Sequence, residues 1–175
     1  MQIKKLIRTV PNYPKPGIMF RDITTLIKDP AGLCLVVKEF CDRYSELKID
    51  KIAAVESRGF IIGAPIAHQL KIGFIPIRKP GKLPADTVGC DYDLEYGTDR
   101  IEIHSDAISP GERVLLIDDL IATGGTAEAA VSLIRQCGGV IVECAFVVDL
   151  PALGGKQRLE ALGAKVFALT EFDGN

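Results

Sequence analysis

Hydrophobic positions along the chain switch between a helical and an alternating period, and the switches mark out its elements. Ile3, Leu6, Ile7 and Val10 fall at helical spacing, and Pro11 ends that run. NYPKPGIMF (12–20) is rich in proline and is expected to be irregular. Residues 31–47 carry Leu33, Val36, Val37, Phe40, Tyr44 and Leu47 on one face of an amphipathic helix. KIAAV (51–55) reads as a short buried strand that ends at a glycine-bearing turn. Residues 60–70 read as a helix, interrupted or kinked near Pro65, and GFIPIR (73–78) as another strand.

Residues 79–97 break this rhythm. KPGKLPADTVGCDYDLEYG mixes prolines, glycines and both charges with weak periodicity, which predicts a lid, a binding loop or disorder. Alternation resumes in RIEIH (100–104). RVLLIDD (113–119) is a buried strand ending in two acids, IATGGT a tight loop, and Ala127–Cys137 a helix. VIVECAFVVDL (140–150) follows as a strand, then a helix around Gln157–Leu162, then AKVFALT as a last strand in the region of 165–171. Strands alternating with helices predict an α/β fold, a mainly parallel sheet flanked by helices on both faces. Such sheets bind ligands beyond the C-terminal ends of their strands.

The 175 residues suit one domain, 1–175, able to bury roughly 70% of its unfolded surface. A net charge of −2 and a pI near 5.7 leave no global basic field for nucleic acid, so anion binding has to be local. The longest stretch without a charge, Gly59 to Leu70, falls well short of the roughly 20 residues of a membrane-spanning helix. MQIKKLIRTV lacks the apolar core of a secretory signal. Five cysteines without a C-x-x-C pair read as reduced thiols of a cytoplasmic protein, and two histidines argue against a histidine-rich zinc site.

The strongest chemical signal is VLLIDDLIATGGTA, Val114 to Ala127. An apolar strand carries Asp118 and Asp119 to its C-terminal edge, and Ala122-Thr123-Gly124-Gly125-Thr126 then opens a helix. Two glycines let a backbone approach its ligand closely, the helix start adds partial positive charge, and the threonines add hydroxyl donors. Together these suit a phosphate monoester. Carboxylates beside a phosphate make sense if the ligand also presents hydroxyls, as ribose 5-phosphate does. In the plainer reading one acid caps a helix and the other is solvated. Neither G-x-x-x-x-G-K-[ST] nor G-x-G-x-x-G occurs, so kinase and dinucleotide readings lack support.

VLLIDDLIATGGTA resembles the phosphoribosyl-diphosphate motif of the type I phosphoribosyltransferases. YPKPGIMFRDIT (13–24), ESRGFIIGAPIA (56–67), IRKPGKLP (77–84) and LEYG (94–97) are similar, in order and spacing, to segments of the adenine-using branch of that family. The resemblance implies transfer of a phosphoribosyl group from phosphoribosyl diphosphate to N9 of adenine, giving AMP and diphosphate. It implies that Ala122, Thr123, Gly124, Gly125 and Thr126 hold the 5′-phosphate, Asp118 and Asp119 the ribose hydroxyls, and Arg58, Arg78, Lys79 and Lys82 the diphosphate. Any one of those lysines alone reads better as solvated surface, but four cations flanking two turns at strand ends do so less.

By the same resemblance the backbone of Met19 and Arg21 reads the edge of adenine, Phe20 stacks on its ring and Leu150 forms the opposite wall. Phe20 alone reads equally well as core packing. Glu95 is the acid of a closing loop, taking the N9 proton or stabilising a cationic sugar, while Asp91 and Asp93 read as solvated. Residues 1–27 would form a hood over the base and 79–97 the lid. Further implications are a cis Glu56–Ser57 peptide, a homodimer, and Mg²⁺ bound mainly through the substrate, so that no protein metal ligand is expected although Asp118 or Asp119 could contact the ion through water. Two alternatives stay open. One is a transferase for another purine. The other is a regulator that senses phosphoribosyl diphosphate, for which residues 1–12 are too few to form a DNA-binding domain.

Overall fold

The structure is a computed structural model that describes residues 2–93 and 97–174. The first half runs α1 (Gln2–Leu6), β1 (Arg8–Pro11), β2 (Met19–Asp22), α2 (Thr24–Ile27), α3 (Pro30–Tyr44), β3 (Lys51–Val55), α4 (Arg58–Leu70) and β4 (Gly73–Ile77). The second runs β5 (Thr87–Asp93), β6 (Thr98–His104), β7 (Arg113–Ile121), α5 (Gly125–Gln136), β8 (Val140–Asp149), α6 (Gly155–Ala161) and β9 (Val166–Glu171). A single 3₁₀ turn, Pro151–Leu153, links β8 to α6.

The central sheet has the order β4-β3-β7-β8-β9 and is parallel throughout, as the strand–helix alternation predicts. β7 shows why it takes helices on both faces. Val114 and Leu116 point into one apolar cluster with Ala130, Leu133 and Ile134 of α5, while Leu115 and Ile117 point into the other with Phe40 of α3 and Ile62 and Ile66 of α4. A period of two on a strand buried on both sides leaves no polar face. α3 starts where Asp29 accepts hydrogen bonds from the amides of Ala31 and Gly32, with Pro30 at the first helical position.

Four expectations need correction. The helical run of residues 1–10 stops at Leu6, and β1 then pairs antiparallel with β2. Non-local pairs override local spacing there: Arg8 forms an ion pair with Asp22, and Arg21 Nη1 donates to Thr9 Oγ1 at 2.6 Å. α3 ends at Tyr44, so Leu47 lies beyond it and is exposed. Pro65 neither breaks nor divides α4, which is continuous from Arg58 to Leu70. The hydrogen bond Pro65 does not donate would go to Ile61, a residue 41% exposed, where water can serve that carbonyl. Finally, 79–97 is not structureless: Thr87–Asp93 forms β5 and pairs antiparallel with β6 over seven residue pairs. This hairpin lies against α5, with Ile101, Ile103 and Tyr92 buried in the same cluster.

Candidate active site

Parallel strands end together, so β3, β4, β7 and β8 deliver Glu56, Arg78, Ala122 and Leu150 to one edge of the sheet. A cleft of about 240 Å³ opens at that edge. Its lining includes Glu56 and Arg58 from the β3–α4 turn, Lys79 after β4, Tyr92 from β5, and the run from Asp118 to Ala127. The strand, the two acids and the glycine loop therefore face one cavity together with two cations from elsewhere in the chain.

The loop itself is unsatisfied. Among the described residues, no acceptor meets the amides of Thr123, Gly124, Gly125, Thr126 or Ala127. The first turn of α5 has no preceding turn to bond, which leaves a row of donors beside the positive end of the helix. Gly124 enters this turn at φ +83°, a conformation glycine adopts without penalty.

The two acids differ. Asp119 is 4% exposed, and Arg58 Nε donates to its Oδ2 at 2.5 Å. Asp118 keeps part of its surface open to the cleft and accepts the Asp119 amide at 2.8 Å. Burial, followed by the neighbouring Asp119 carboxylate, pushes the Asp118 carboxyl well above the usual carboxylate range. The Arg58 guanidinium faces the other carboxylate of the pair.

The other cations are also engaged. Arg78 Nε donates to Glu56 Oε2 at 2.6 Å, and its Nη1 reaches the carbonyl of Lys82 at 3.3 Å. Lys79 pairs with Asp99 and donates to the Tyr92 hydroxyl at 3.1 Å, and that hydroxyl donates to Asp99 at 3.1 Å. The Lys79 ammonium holds the Asp99 carboxyl below its usual range. Arg78 and Lys82 do not line the cleft, and Lys82 is exposed. The Glu56–Ser57 peptide bond is cis.

Met19, Phe20, Arg21 and Leu150 do not line this cleft either. Met19 is exposed, and Phe20 belongs to neither core cluster, its ring meeting Tyr13 edge-to-face at 5.2 Å. Arg21 stacks on Phe172 at 4.5 Å, the Phe172 amide donates to Asp149 O, and the Leu150 amide donates to Ile121 O at 3.1 Å. That chain of contacts ties the segment to Ile121 at the cleft wall. Glu95 lies outside the described residues.

Glu56, Tyr92 and Asp99 escaped the sequence reading. Tyr92 was legible in principle, because Val88, Cys90 and Tyr92 alternate toward one face, but the prolines and glycines around them masked the period. Glu56 and Asp99 carried no signal, since an acid that partners a cation looks like any surface acid until the fold is known.

A model of the phosphoribosyl transferase domain matches residues 27–164. An adenine phosphoribosyltransferase of Nitrosospira multiformis is 66% identical over 175 residues, covering all of both chains. The crystal structure of adenine phosphoribosyltransferase from Thermoanaerobacter pseudethanolicus superposes with a TM-score of 0.93 at 44% identity, covering 98% of each chain. That of the Saccharomyces cerevisiae enzyme, complexed with an imino-altritol bisphosphate and adenine, superposes with a TM-score of 0.90 at 38% identity over 96% of each chain.

Proposed function

The chain belongs to the phosphoribosyl transferase family, and from that premise we propose that it transfers the phosphoribosyl group of 5-phosphoribosyl 1-diphosphate to N9 of adenine. The products are AMP and diphosphate, the reaction of purine salvage. The C1′–oxygen bond to the diphosphate breaks with the oxygen keeping the electron pair, the N9–C1′ bond forms, and N9 gives up its proton. One observation carries this reading: a loop whose amides find no partner among the described residues follows two aspartates and opens on the same cleft as Arg58 and Lys79.

Ala122, Thr123, Gly124, Gly125 and Thr126 take the 5′-phosphate, and Asp118 and Asp119 accept from the ribose hydroxyls. Asp119 fits that task because Arg58 already orients its carboxylate, and Asp118 because part of its surface opens on the cleft beside it. Arg58 and Lys79 meet the diphosphate, with Arg78 and Lys82 as outer contacts. Met19, Phe20, Arg21 and Leu150 form the base slot. A half-buried Phe20 ring outside the core and the contact chain from Arg21 to Ile121 support this.

Residues 1–27 act as the hood and 79–97 as the lid. Glu95 in that lid takes the N9 proton or stabilises the cationic sugar, a role supported by LEYG alone. Excluding water from the closed cleft protects the sugar cation from hydrolysis. Bound Mg²⁺ would supply charge that offsets the diphosphate. Asp119 is committed to Arg58, and no group of three or more candidate ligands occurs among the described residues. That donor set would suit an ion brought by the substrate, which Asp118 or Asp119 would contact only through water. The family resemblance supports a homodimer, which sedimentation tests, and the unpaired cysteine set supports a cytoplasmic location.

The deciding experiment offers purified protein phosphoribosyl diphosphate, Mg²⁺ and each purine in turn, and follows diphosphate release. Release with adenine alone is expected. Release only with another purine would reassign the base, and no release with any base would remove the enzyme reading.

A further inference from the structure

The glycine loop of the cleft rests on a rear wall. Gly155, the first residue of α6, donates its amide to Ala122 O at 3.0 Å, at the start of the loop. A Cβ on Gly155 would stand 2.3 Å from Ala122 O, 2.8 Å from Ile121 Cγ1 and 2.9 Å from Gly124 N. Two of those three atoms are backbone and have no rotamer by which to retreat. From the other side, a Cβ on Gly124 would meet Gly155 Cα and O at 3.0 Å each. The two glycines are thus in direct backbone contact, one inside the loop and one behind it. An ion pair between Arg158 of α6 and Glu128 of α5 braces the same junction from the outside.

We propose that Gly155 is a positioning residue for the sugar phosphate. The start of α6 is the template against which residues 122–126 take their shape, and it sets where the loop amides point without touching the ligand. The inference rests on the reading of that loop as the 5′-phosphate site. It deepens that reading by making phosphate recognition depend on a segment about 30 residues downstream. The physical reason is preorganisation. Several amides converge on one phosphate only while the turn is held, and a displacement of about 1 Å in such a constellation costs on the order of 100-fold.

The test is binding of ribose 5-phosphate, followed by calorimetry on folded protein. Gly155→Ala is expected to raise its Kd more than tenfold and the KM for phosphoribosyl diphosphate in parallel. Mg²⁺–diphosphate, at the other end of the cleft, should bind within twofold of wild type. Gly163→Ala is the control. That residue has positive φ, at +73°, which Gly155 does not, so a Cβ there is strained by backbone alone and meets nothing within 4 Å; the control should lower Tm and leave the Kd unchanged. Arg158→Met removes the outer brace without adding bulk and should raise the Kd two- to threefold, and it carries the test should Gly155→Ala not fold. Unchanged ribose 5-phosphate affinity in the folded variant overturns the positioning role. Failure of the wild type itself to bind ribose 5-phosphate overturns instead the assignment of the loop.

Discussion

The two ends of the cleft solve anion recognition differently. At one end, a contiguous run from Thr123 to Ala127 presents backbone amides that no group among the described residues occupies. At the other, the two lining cations come from separate turns, and each is already held by an acid: Arg58 by Asp119 and Lys79 by Asp99, with Arg78 behind them held by Glu56. The first end is ready for its ligand. The second has to exchange partners, so its affinity is a difference between two sets of ion pairs rather than a sum of attractions. A diphosphate that must leave after each turnover suits the second arrangement, because the carboxylates are at hand to take the cations back.

The largest expected effect separates the cation inside the cleft from the one outside it. Lys79→Gln removes a charged donor that lines the cavity, and hydrogen bonds to charged groups contribute about 1.5–3 kcal/mol. The KM for phosphoribosyl diphosphate should therefore rise about 10- to 100-fold. Lys82→Gln, at an exposed position off the lining, should change it no more than about threefold. Steady-state kinetics at saturating adenine reads both. Equal effects would erase the distinction between inner and outer cations.

A smaller effect, of opposite sign, tests the exchange itself. Asp99→Asn keeps the shape of the side chain and removes the charge that engages Lys79. The freed ammonium should bind Mg²⁺–diphosphate severalfold more tightly and slow its release. Weaker binding would mean that Asp99 aims Lys79 instead of competing for it, and the contrast between the two ends would narrow.

The same division governs what could be read from the sequence. The parallel sheet and the loop were legible because their determinants are local: unbroken apolar runs such as Val114–Ile117, two adjacent aspartates, and a pair of glycines at a helix start. The hairpin of β5 and β6 was not, since Thr87–Asp93 becomes a strand only by pairing with Thr98–His104 and packing on α5. The start of the chain failed for a similar reason. Its helical spacing gives way at Arg8 to pairing with β2 across the intervening Pro-rich turn. Whether a lysine faces the cleft or the solvent also lay beyond the sequence, because Lys79 and Lys82 differ in placement and not in kind.

The smallest effect belongs to the ready end and concerns stability. Burial, then the charge of Asp119, raises the Asp118 carboxyl above its usual value of 3.8. The folded protein therefore holds a proton that the unfolded chain has lost. A group raised in this way contributes stability that is present below pH 3.8 and is lost as pH rises through its folded-state value. At neutral pH Asp118 consequently burdens the empty protein. Asp118→Asn keeps an oxygen for the Asp119 amide and has no charge to bury. It should raise Tm at pH 7, by about 2–4 °C for each kcal/mol relieved in a chain of this size. The gain should shrink toward zero as pH approaches 4, and ribose 5-phosphate affinity should fall at the same time. Thermal scans from pH 4 to 8 give the sign. A variant less stable than wild type at neutral pH would show that the Asp118 charge is compensated in the empty cleft, and the loop end would then be no more open than the cation end.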